Sequence, residues 1–224
     1  NLMQSTVKFQ QDGYHDQTQS IFATAQLGWK SKLYLDVTGR VDWSSALAWT
    51  EAKSVAYPSV GLSAILTELL PIKNDVLTFL KVRGSYSEVG NAPTRYIAYQ
   101  TYPYESASPT TATTYPNTDI KPERTKAWEV GLQSHLWNDK LELNVSLYKT
   151  STYNQLFNPS LPSSSGYSSI YINGGQVDNK GIEASLTLNQ PLGPVKWNST
   201  FTYTLNRNKI KKLLKPTTLS GGEV

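Results

Sequence analysis

Apolar and polar side chains alternate one by one along much of this chain. The clearest segment is 195–206, with Val195, Trp197, Phe201, Tyr203 and Leu205 on one face and Lys196, Asn198, Thr200, Thr202, Thr204 and Asn206 on the other. Successive side chains of a β-strand point to opposite sides of a sheet, whereas a helix would mix these residues. Similar alternation predicts eight strands, near residues 20–30, 32–43, 57–66, 77–88, 124–137, 140–151, 177–189 and 195–206. The chain is therefore predicted to be all-β.

The links between these predicted strands alternate in length. Residues 29–32, 138–140 and 190–194 form tight turns, built from residue types that accept turn geometry. The long links are rich in Ser, Thr, Tyr, Pro, Gly and Asn, and they comprise residues 44–56, 90–122, 152–175 and 207–224. The link at 66–76 is intermediate and is predicted to hold one helical turn at 67–70. Short turns at one end of a sheet and long loops at the other are typical of an outer-membrane barrel, whose long loops lie outside the cell.

Aromatic residues fall at both ends of the apolar strand faces. Trp29 and Trp197 lie beside short turns, and the positions near long loops are Trp43, Tyr86, Trp128 and Tyr203. Amphipathic rings favour the headgroup level on both sides of a bilayer, and about nine to eleven residues suit a tilted membrane strand. These six residues are therefore predicted to form a membrane girdle. The alternative is a soluble β-sandwich whose apolar faces pack into a core.

Composition and charge narrow the possible classes. The mean hydropathy of −0.41 is low, and no run of apolar residues is as long as a membrane helix requires. Barrel strands are apolar only at alternate positions, so a chain can cross a bilayer with such strands and still have a low mean hydropathy. The net charge of +4 is spread along the chain, without the broad basic stripe of a nucleic-acid-binding surface. Cysteine is absent, so neither a disulfide framework nor a thiolate metal site is expected.

Catalytic chemistry is not indicated. The two histidines, His15 and His135, lack the spacing of metal ligands or of a catalytic triad. We therefore expect no catalytic residue, no metal and no cofactor, and the chain is not predicted to be an enzyme. The polar strand faces carry charges of both signs that are predicted to line a barrel lumen, namely Arg40, Asp42, Arg83, Glu129 and Glu183.

One long loop has the composition of a ligand-contacting segment. Residues 90–122 hold Tyr96, Tyr99, Tyr102, Tyr104 and Tyr115 among Thr, Ser and Pro. Tyrosine offers a flat apolar ring with a polar tip, which suits sugars or peptides. The alternative for each tyrosine is packing against a neighbouring loop or a partner. The basic run at 207–215 has two interpretations of its own, contact with anionic lipid headgroups or a solvated loop.

Five stretches follow one another in order along the chain. They are residues 21–45, which end in Gly39-Arg40-Val41-Asp42-Trp43-Ser44-Ser45, followed by 57–61, 80–91, 120–131 and 179–183. These stretches resemble the barrel of SusC/RagA-type TonB-dependent transporters. Each motif alone is weak, but five in the order of the family are specific, and together they cover nearly the whole chain.

The resemblance implies a fold and a function. It implies an antiparallel up-and-down transmembrane β-barrel of about twenty-two strands, crossing the cell outer membrane many times, of which residues 1–224 form an interior or C-terminal-half piece with the plug domain absent. It also implies TonB-dependent import of oligosaccharides or peptides. The implied partners are a SusD-like surface lipoprotein, the TonB complex acting through a plug, and outer-membrane lipid. A passive porin barrel is the alternative, and nucleic acid is not an expected partner.

Overall fold

The computed structural model describes residues 15–100, 104–105, 108–109, 113–213, 218–219 and 222–223. Its strands are β1 (Thr18–Trp29), β2 (Leu33–Ser44), β3 (Ser54–Ile65), β4 (Leu77–Asn91), β5 (Tyr104–Glu105), β6 (Ser108–Pro109), β7 (Thr114–Tyr115), β8 (Glu123–Leu136), β9 (Leu141–Phe157), β10 (Ser169–Ile170), β11 (Ile172–Leu192), β12 (Val195–Lys212), β13 (Thr218–Leu219) and β14 (Gly222–Glu223). Two short 3-10 helices span Ser45–Leu47 and Ser163–Ser165, and the helical turn predicted at 67–70 is the helix α1 (Leu66–Leu69). No helix in these described ranges is long and apolar enough to cross a membrane.

The eight long strands form one antiparallel sheet in the order β1-β2-β3-β4-β8-β9-β11-β12. Each long strand pairs with the next long strand along the chain, so the connectivity is up-and-down. The short strands pair separately, β5 with β6, β7 with β10 and β13 with β14. β1 and β12 are the edges of an open sheet, and an open edge cannot stand in hydrocarbon because its backbone N–H and C=O groups would be unpaired. The sheet is thus a segment of a larger closed barrel.

The register of the ladders defines two different sides of this sheet, because directly paired residues share a side. The apolar face is continuous across all eight long strands. One row of directly paired residues on it consists of Trp29, Leu33, Ala64, Val82, Leu132, Val145, Ala184 and Tyr203. All eight side chains are apolar or aromatic, and an aromatic ring stands at each end.

The row from Trp29 to Tyr203 runs obliquely through the apolar band. Trp29 ends β1 beside a short turn, whereas Tyr203 lies eight residues after the start of β12. At a strand spacing of about 4.8 Å, the row is about 34 Å long. Strands of outer-membrane barrels tilt by about 40°, so the row climbs about 22 Å along the membrane normal, close to the roughly 25 Å height of their apolar band. The stagger of the strands therefore carries the row from one membrane surface to the other.

The apolar face is open rather than covered by a second sheet. Val130, Leu147 and Phe201 lie on it, and their exposed fractions are 56%, 53% and 61%. A soluble β-sandwich would bury these side chains against an opposing sheet. The β-sandwich alternative is therefore wrong for this chain, and the barrel fold is confirmed.

Several strands continue past the ends that the alternation predicts. β3 begins at Ser54, β9 runs to Phe157, β11 begins at Ile172 and β12 runs to Lys212. The predicted loop bounds 44–56, 152–175 and 207–224 are therefore wrong at those ends. The predicted start of the loop 90–122 is also wrong, because β4 runs to Asn91. The physical reason is that alternation reports contact with lipid on one face only. Beyond the bilayer both faces are in water, so polar residues occupy both faces while the backbone ladder continues.

Candidate functional site: the polar face and the loop cluster

The polar face of the sheet carries the five charged residues predicted for a lumen. The register places Arg40, Asp42, Arg83, Glu129 and Glu183 all on this side. Arg40 Nε donates to Asp42 Oδ1 at 2.6 Å, and its Nη2 donates to Ser20 Oγ at 3.1 Å. Hydroxyl pairs also link neighbouring strands on this face, at Thr24 and Thr38, Thr125 and Thr152, and Thr187 and Thr200. Such a surface suits contact with water rather than lipid.

Arg83 connects three strands of the polar face. Its Nε lies 3.5 Å from Glu129 Oε1. Its Nη2 donates to Ser146 Oγ at 2.6 Å and its Nη1 to Asn144 Oδ1 at 3.3 Å. The guanidinium reaches β9 by passing directly over Gly131, where an added Cβ would lie 2.6 Å from Arg83 Nε. A side chain at position 131 would occupy the space of the guanidinium, so glycine there allows Arg83 to reach from β4 to β9.

At the end of the sheet opposite the short turns, the long connections and the strand residues next to them pack together. This group, the loop cluster, consists of residues 44–56, 92–100, 113–122 and 158–171. The described part of the chain buries five aliphatic side chains, and all of them belong to this cluster: Leu47, Val55, Ile97, Ala98 and Ile120. Leu47 and Ile120 are completely inaccessible to solvent. The buried aliphatic side chains of the described residues are thus concentrated in this cluster, and Val55 belongs at the same time to the first residues of β3.

Hydrogen bonds join the segments of the loop cluster to one another and to the sheet. Asn173, at the start of β11, donates through Nδ2 to the Lys121 and Asn154 carbonyls, both at 2.8 Å. Its Oδ1 accepts from the Lys121 N–H at 2.6 Å. Asn117 Nδ2 donates to the Tyr171 carbonyl at 2.8 Å, and β7 pairs with β10. These bonds tie the segment before β8 to the segment before β11.

The predicted ligand tyrosines do not all fall in the described part of the cluster. Tyr96, Tyr99 and Tyr115 are exposed side chains. Tyr102 lies outside the described residues, and Tyr104 belongs to β5 although its side chain is not among those described. The structure adds two aromatic partners that the sequence did not single out. Trp49 stacks on Tyr99 with ring centroids 4.8 Å apart, and Tyr167 meets Tyr115 edge to face at 5.1 Å.

The Trp49 and Tyr99 pair forms a flat aromatic surface open to solvent. The exposed fractions of the two side chains are 58% and 53%. Trp49 comes from the link between β2 and β3, whereas Tyr99 follows β4 by eight residues, so only the folded cluster brings them together. Aromatic rings that remain exposed after packing on each other can stack on the apolar faces of a ligand.

The six predicted girdle residues all lie on the apolar face: Trp29, Trp43, Tyr86, Trp128, Trp197 and Tyr203. Tyr86 and Trp128 are directly paired, with ring centroids 4.4 Å apart. Glu88 lies just outside this ring pair, and its carboxylate accepts a hydrogen bond from the Tyr86 hydroxyl. The same carboxylate pairs with Arg124 at 3.1 Å and with Lys126 at 3.5 Å. Fixed charge thus begins directly beyond the aromatic residues, as at a membrane surface.

An up-and-down antiparallel sheet with one apolar exposed face, one polar face and loops of unequal length at its two ends is the wall of a transmembrane β-barrel. The family model described as TonB dependent receptor-like, beta-barrel matches residues 3–223. The chain therefore belongs to this family, and its location in the outer membrane is confirmed. The family consists of receptors and transporters rather than enzymes.

Two curated relatives come from Formosa agariphila. TonB-dependent receptor P3 is 29% identical over 95% of this chain and 22% of its own length. TonB-dependent receptor P26 is 27% identical over 88% of this chain and 21% of its own length. The chain thus spans about a fifth of the length of the curated relatives it matches.

Solved structures show the same wall. The RagAB peptide importer in its open-open state superposes with a TM-score of 0.81 and 24% identity, over 91% of this chain and 23% of that chain. The siderophore receptor PirA from Pseudomonas aeruginosa superposes with a TM-score of 0.55 and 15% identity, over 87% and 35%. The resemblance to SusC/RagA-type transporters is confirmed, and the chain is a fragment of such a barrel.

The assignment of the two faces gives a direct labelling prediction. Single cysteines at Leu186 and Phe201 should react with a lipid-soluble thiol reagent in membranes, because both side chains lie on the apolar face. Their matched controls, Ser185 and Thr202, are directly paired with each other on the polar face and should not react with that reagent. The measurement is labelling yield by mass spectrometry in a full-length protein without other cysteines. Equal labelling on both faces would contradict the assignment.

Proposed function

We propose that this chain forms part of the wall of an active importer that moves nutrients across the outer membrane, with energy supplied by TonB through a plug domain. In this proposal the loop cluster faces outside the cell and the polar face lines the lumen around the plug. A SusD-like surface lipoprotein covers the loops. The proposed substrate is an oligopeptide or an oligosaccharide.

The division of the sheet into two faces carries this proposal. The apolar face meets lipid, so in a closed barrel the face bearing Arg40, Arg83 and Glu129 encloses an aqueous interior. Arg83 is held by contacts to both β8 and β9. A charged interior fixed in this way suits contact with a folded plug, whose own polar surface can pair with it. Membership of the TonB-dependent receptor-like family supports the same assignment.

Features of the loop cluster support a ligand role for its aromatic residues. Tyr96, Tyr99 and Trp49 are all more than half exposed although the cluster around them is packed. Tyr96 also has a left-handed backbone with φ of 64°, which is uncommon for a residue with a bulky side chain. Held backbones of this kind concentrate at ligand-binding segments. Since the solved structures of similar fold include the RagAB peptide importer, peptides are the first substrates to test.

Transport by the full-length protein tests the proposal. Cells that carry the protein are given fluorescent oligopeptides, and a parallel series is given oligosaccharides of similar size. We expect accumulation of one class, and we expect it to stop when TonB is deleted or the proton gradient is collapsed. Uptake that continues unchanged without TonB would establish the porin alternative and refute active import.

The contribution of the aromatic pair is tested separately by binding. Trp49→Ala together with Tyr99→Ala should weaken substrate binding about five- to tenfold, since an aromatic contact contributes about 1 kcal/mol beyond its buried area. The matched control removes the rings of Trp137 and Tyr34, which are also exposed but lie at the short-turn end. The measurement is isothermal titration with the purified transporter. Unchanged affinity in the Trp49 and Tyr99 variant would exclude the pair from the ligand site.

A further inference from the structure

A second row of directly paired residues on the apolar face changes character along its length. It consists of Ala25, Val37, Val60, Tyr86, Trp128, Lys149, Lys180 and Arg207. Rows of this sheet climb toward the long-loop side from β1 to β12, as the row from Trp29 to Tyr203 shows. Trp128 therefore stands at the outer girdle, and the three cations lie progressively beyond it. The row passes from hydrocarbon through the aromatic belt to the level of the lipid headgroups.

Lys149, Lys180 and Arg207, hereafter the cation row, face one another across three neighbouring strands. They occupy opposite positions on β9, β11 and β12, and neighbouring strands are only about 4.8 Å apart. Like charges at opposite positions of a sheet repel. No carboxylate of the described residues lies within 4.0 Å of any of the three. An anion bound from outside the protein would relieve the repulsion among these three cations.

Asp178 is the acidic residue next to the cation row, one row further out on the same face. It is directly paired with Lys209, so it adds a further cation to the surface as well as one negative charge. Its carboxylate accepts a hydrogen bond from Gln176 Nε2 at 2.9 Å. One carboxylate cannot neutralise this many cations.

An apolar groove of about 490 Å³ lies beside the cation row. Its wall is formed by Val130, Leu147, Ile182 and Leu205, which make up the adjacent row on the membrane side. All three members of the cation row line the same groove. A soluble anion would use only the charged end of such a site. A molecule with an anionic head and an apolar chain would use both.

We propose that the cation row and its groove form a binding site for an anionic, phosphate-bearing lipid of the outer leaflet. The phosphate is held by the two ammonium groups and the guanidinium, which can bind two phosphate oxygens at once. An acyl chain lies along the groove, in the hydrocarbon that the groove already faces. This lipid site does not depend on which substrate is transported, so the lipid-site proposal can be correct even if the proposed import function is refuted.

Lipid retention by the full-length protein tests this site. The transporter is placed in nanodiscs of phosphatidylcholine with a small fraction of bis-phosphorylated lipid A, and the lipid A retained after a detergent wash is measured by mass spectrometry. Replacing the cation row by Lys149→Gln, Lys180→Gln and Arg207→Gln should lower retention at least about tenfold, since each basic residue near an anionic surface contributes about 1 kcal/mol. The variant should fold, because the substitutions remove repulsion.

A variant with equal charge loss elsewhere is the matched control. Lys30→Gln, Lys140→Gln and Lys196→Gln remove three cations near the short turns and should leave retention unchanged. Lys149→Arg with Lys180→Arg should retain the lipid, and dephosphorylated lipid A should be retained equally weakly by all variants. Equal retention by the wild type and the triple glutamine variant would overturn the site. Equal loss in the short-turn control would also overturn it, because the effect would then be one of overall charge.

Discussion

Leu186→Arg is expected to destabilise the barrel by about 2–4 kcal/mol, the cost of placing arginine near the middle of the lipid-facing band. Leu186 lies on the apolar face of β11, directly paired with Leu143 on β9 and Phe201 on β12. An arginine there has no polar partner in its row and must reach a membrane surface to be solvated. The measurement is a urea titration of the full-length protein in lipid vesicles, in which tryptophan fluorescence reports unfolding.

The neighbouring position on the same strand supplies the control for Leu186. Ser185 lies one residue earlier and therefore on the polar face, where it is paired with Asn144 and Thr202. Ser185→Arg adds the same charge and bulk on the side that contacts water and should cost less than about 1 kcal/mol. If both variants lost equal stability, the difference between the two faces would not be one of lipid against water, and the membrane assignment would be wrong.

Gly181→Ala is expected to have the second largest effect, a loss of about 1–3 kcal/mol from overpacking. A Cβ at this position would lie 2.4 Å from the Leu205 carbonyl oxygen and 2.5 Å from the Tyr148 hydroxyl oxygen. The tyrosine could rotate away, but the carbonyl belongs to the backbone of β12. The ladder between β11 and β12 must therefore shift to admit one methyl group. Thermal unfolding of the full-length protein in detergent, read on a heat-modifiability gel, measures the loss.

Gly39 provides the comparison for Gly181. It also lies inside a long strand of the sheet, but an added Cβ would meet no atom within 4 Å. Gly39→Ala should leave the midpoint temperature of unfolding unchanged or raise it, because alanine reduces the conformational freedom of the unfolded chain. A loss at Gly39 as large as that at Gly181 would show that alanine is unfavourable in these strands for a reason other than contact with Leu205 and Tyr148.

The sequence predicts the sheet and its faces because the bilayer imposes a two-residue period on each strand. Val195 to Leu205 shows this clearly, and the register of β12 agrees with it. The period stops where contact with lipid stops, so it does not predict the long-loop ends of β9, β11 and β12. For the same reason, the two-residue period does not predict the cation row. Lys149, Lys180 and Arg207 are far apart in sequence, and only the pairing of three strands shows that they face one another.

The loop cluster was less predictable than the wall. Its composition predicts tyrosines that contact a ligand, with packing against a neighbouring loop as the alternative. Tyr96, Tyr99 and Tyr115 are exposed, and Tyr99 and Tyr115 also pack on Trp49 and Tyr167. The contact between Trp49 and Tyr99 depends on how the link after β2 and the link after β4 fold against each other. A repeating pattern within one segment of the sequence cannot predict such a contact. The burial of Leu47 and Ile120 was likewise invisible, because single aliphatic residues among Ser, Thr and Pro give no signal of a core.

The Asn173 side chain has a thermodynamic consequence for any ligand that binds the loop cluster. By holding the Lys121 backbone in both directions and the Asn154 carbonyl as well, it fixes the cluster to strands that are themselves part of the wall. Ordering one loop residue on binding costs about 1–2 kcal/mol of conformational entropy. A surface that is already ordered avoids most of that cost, so more of the contact energy with the ligand is expressed as affinity.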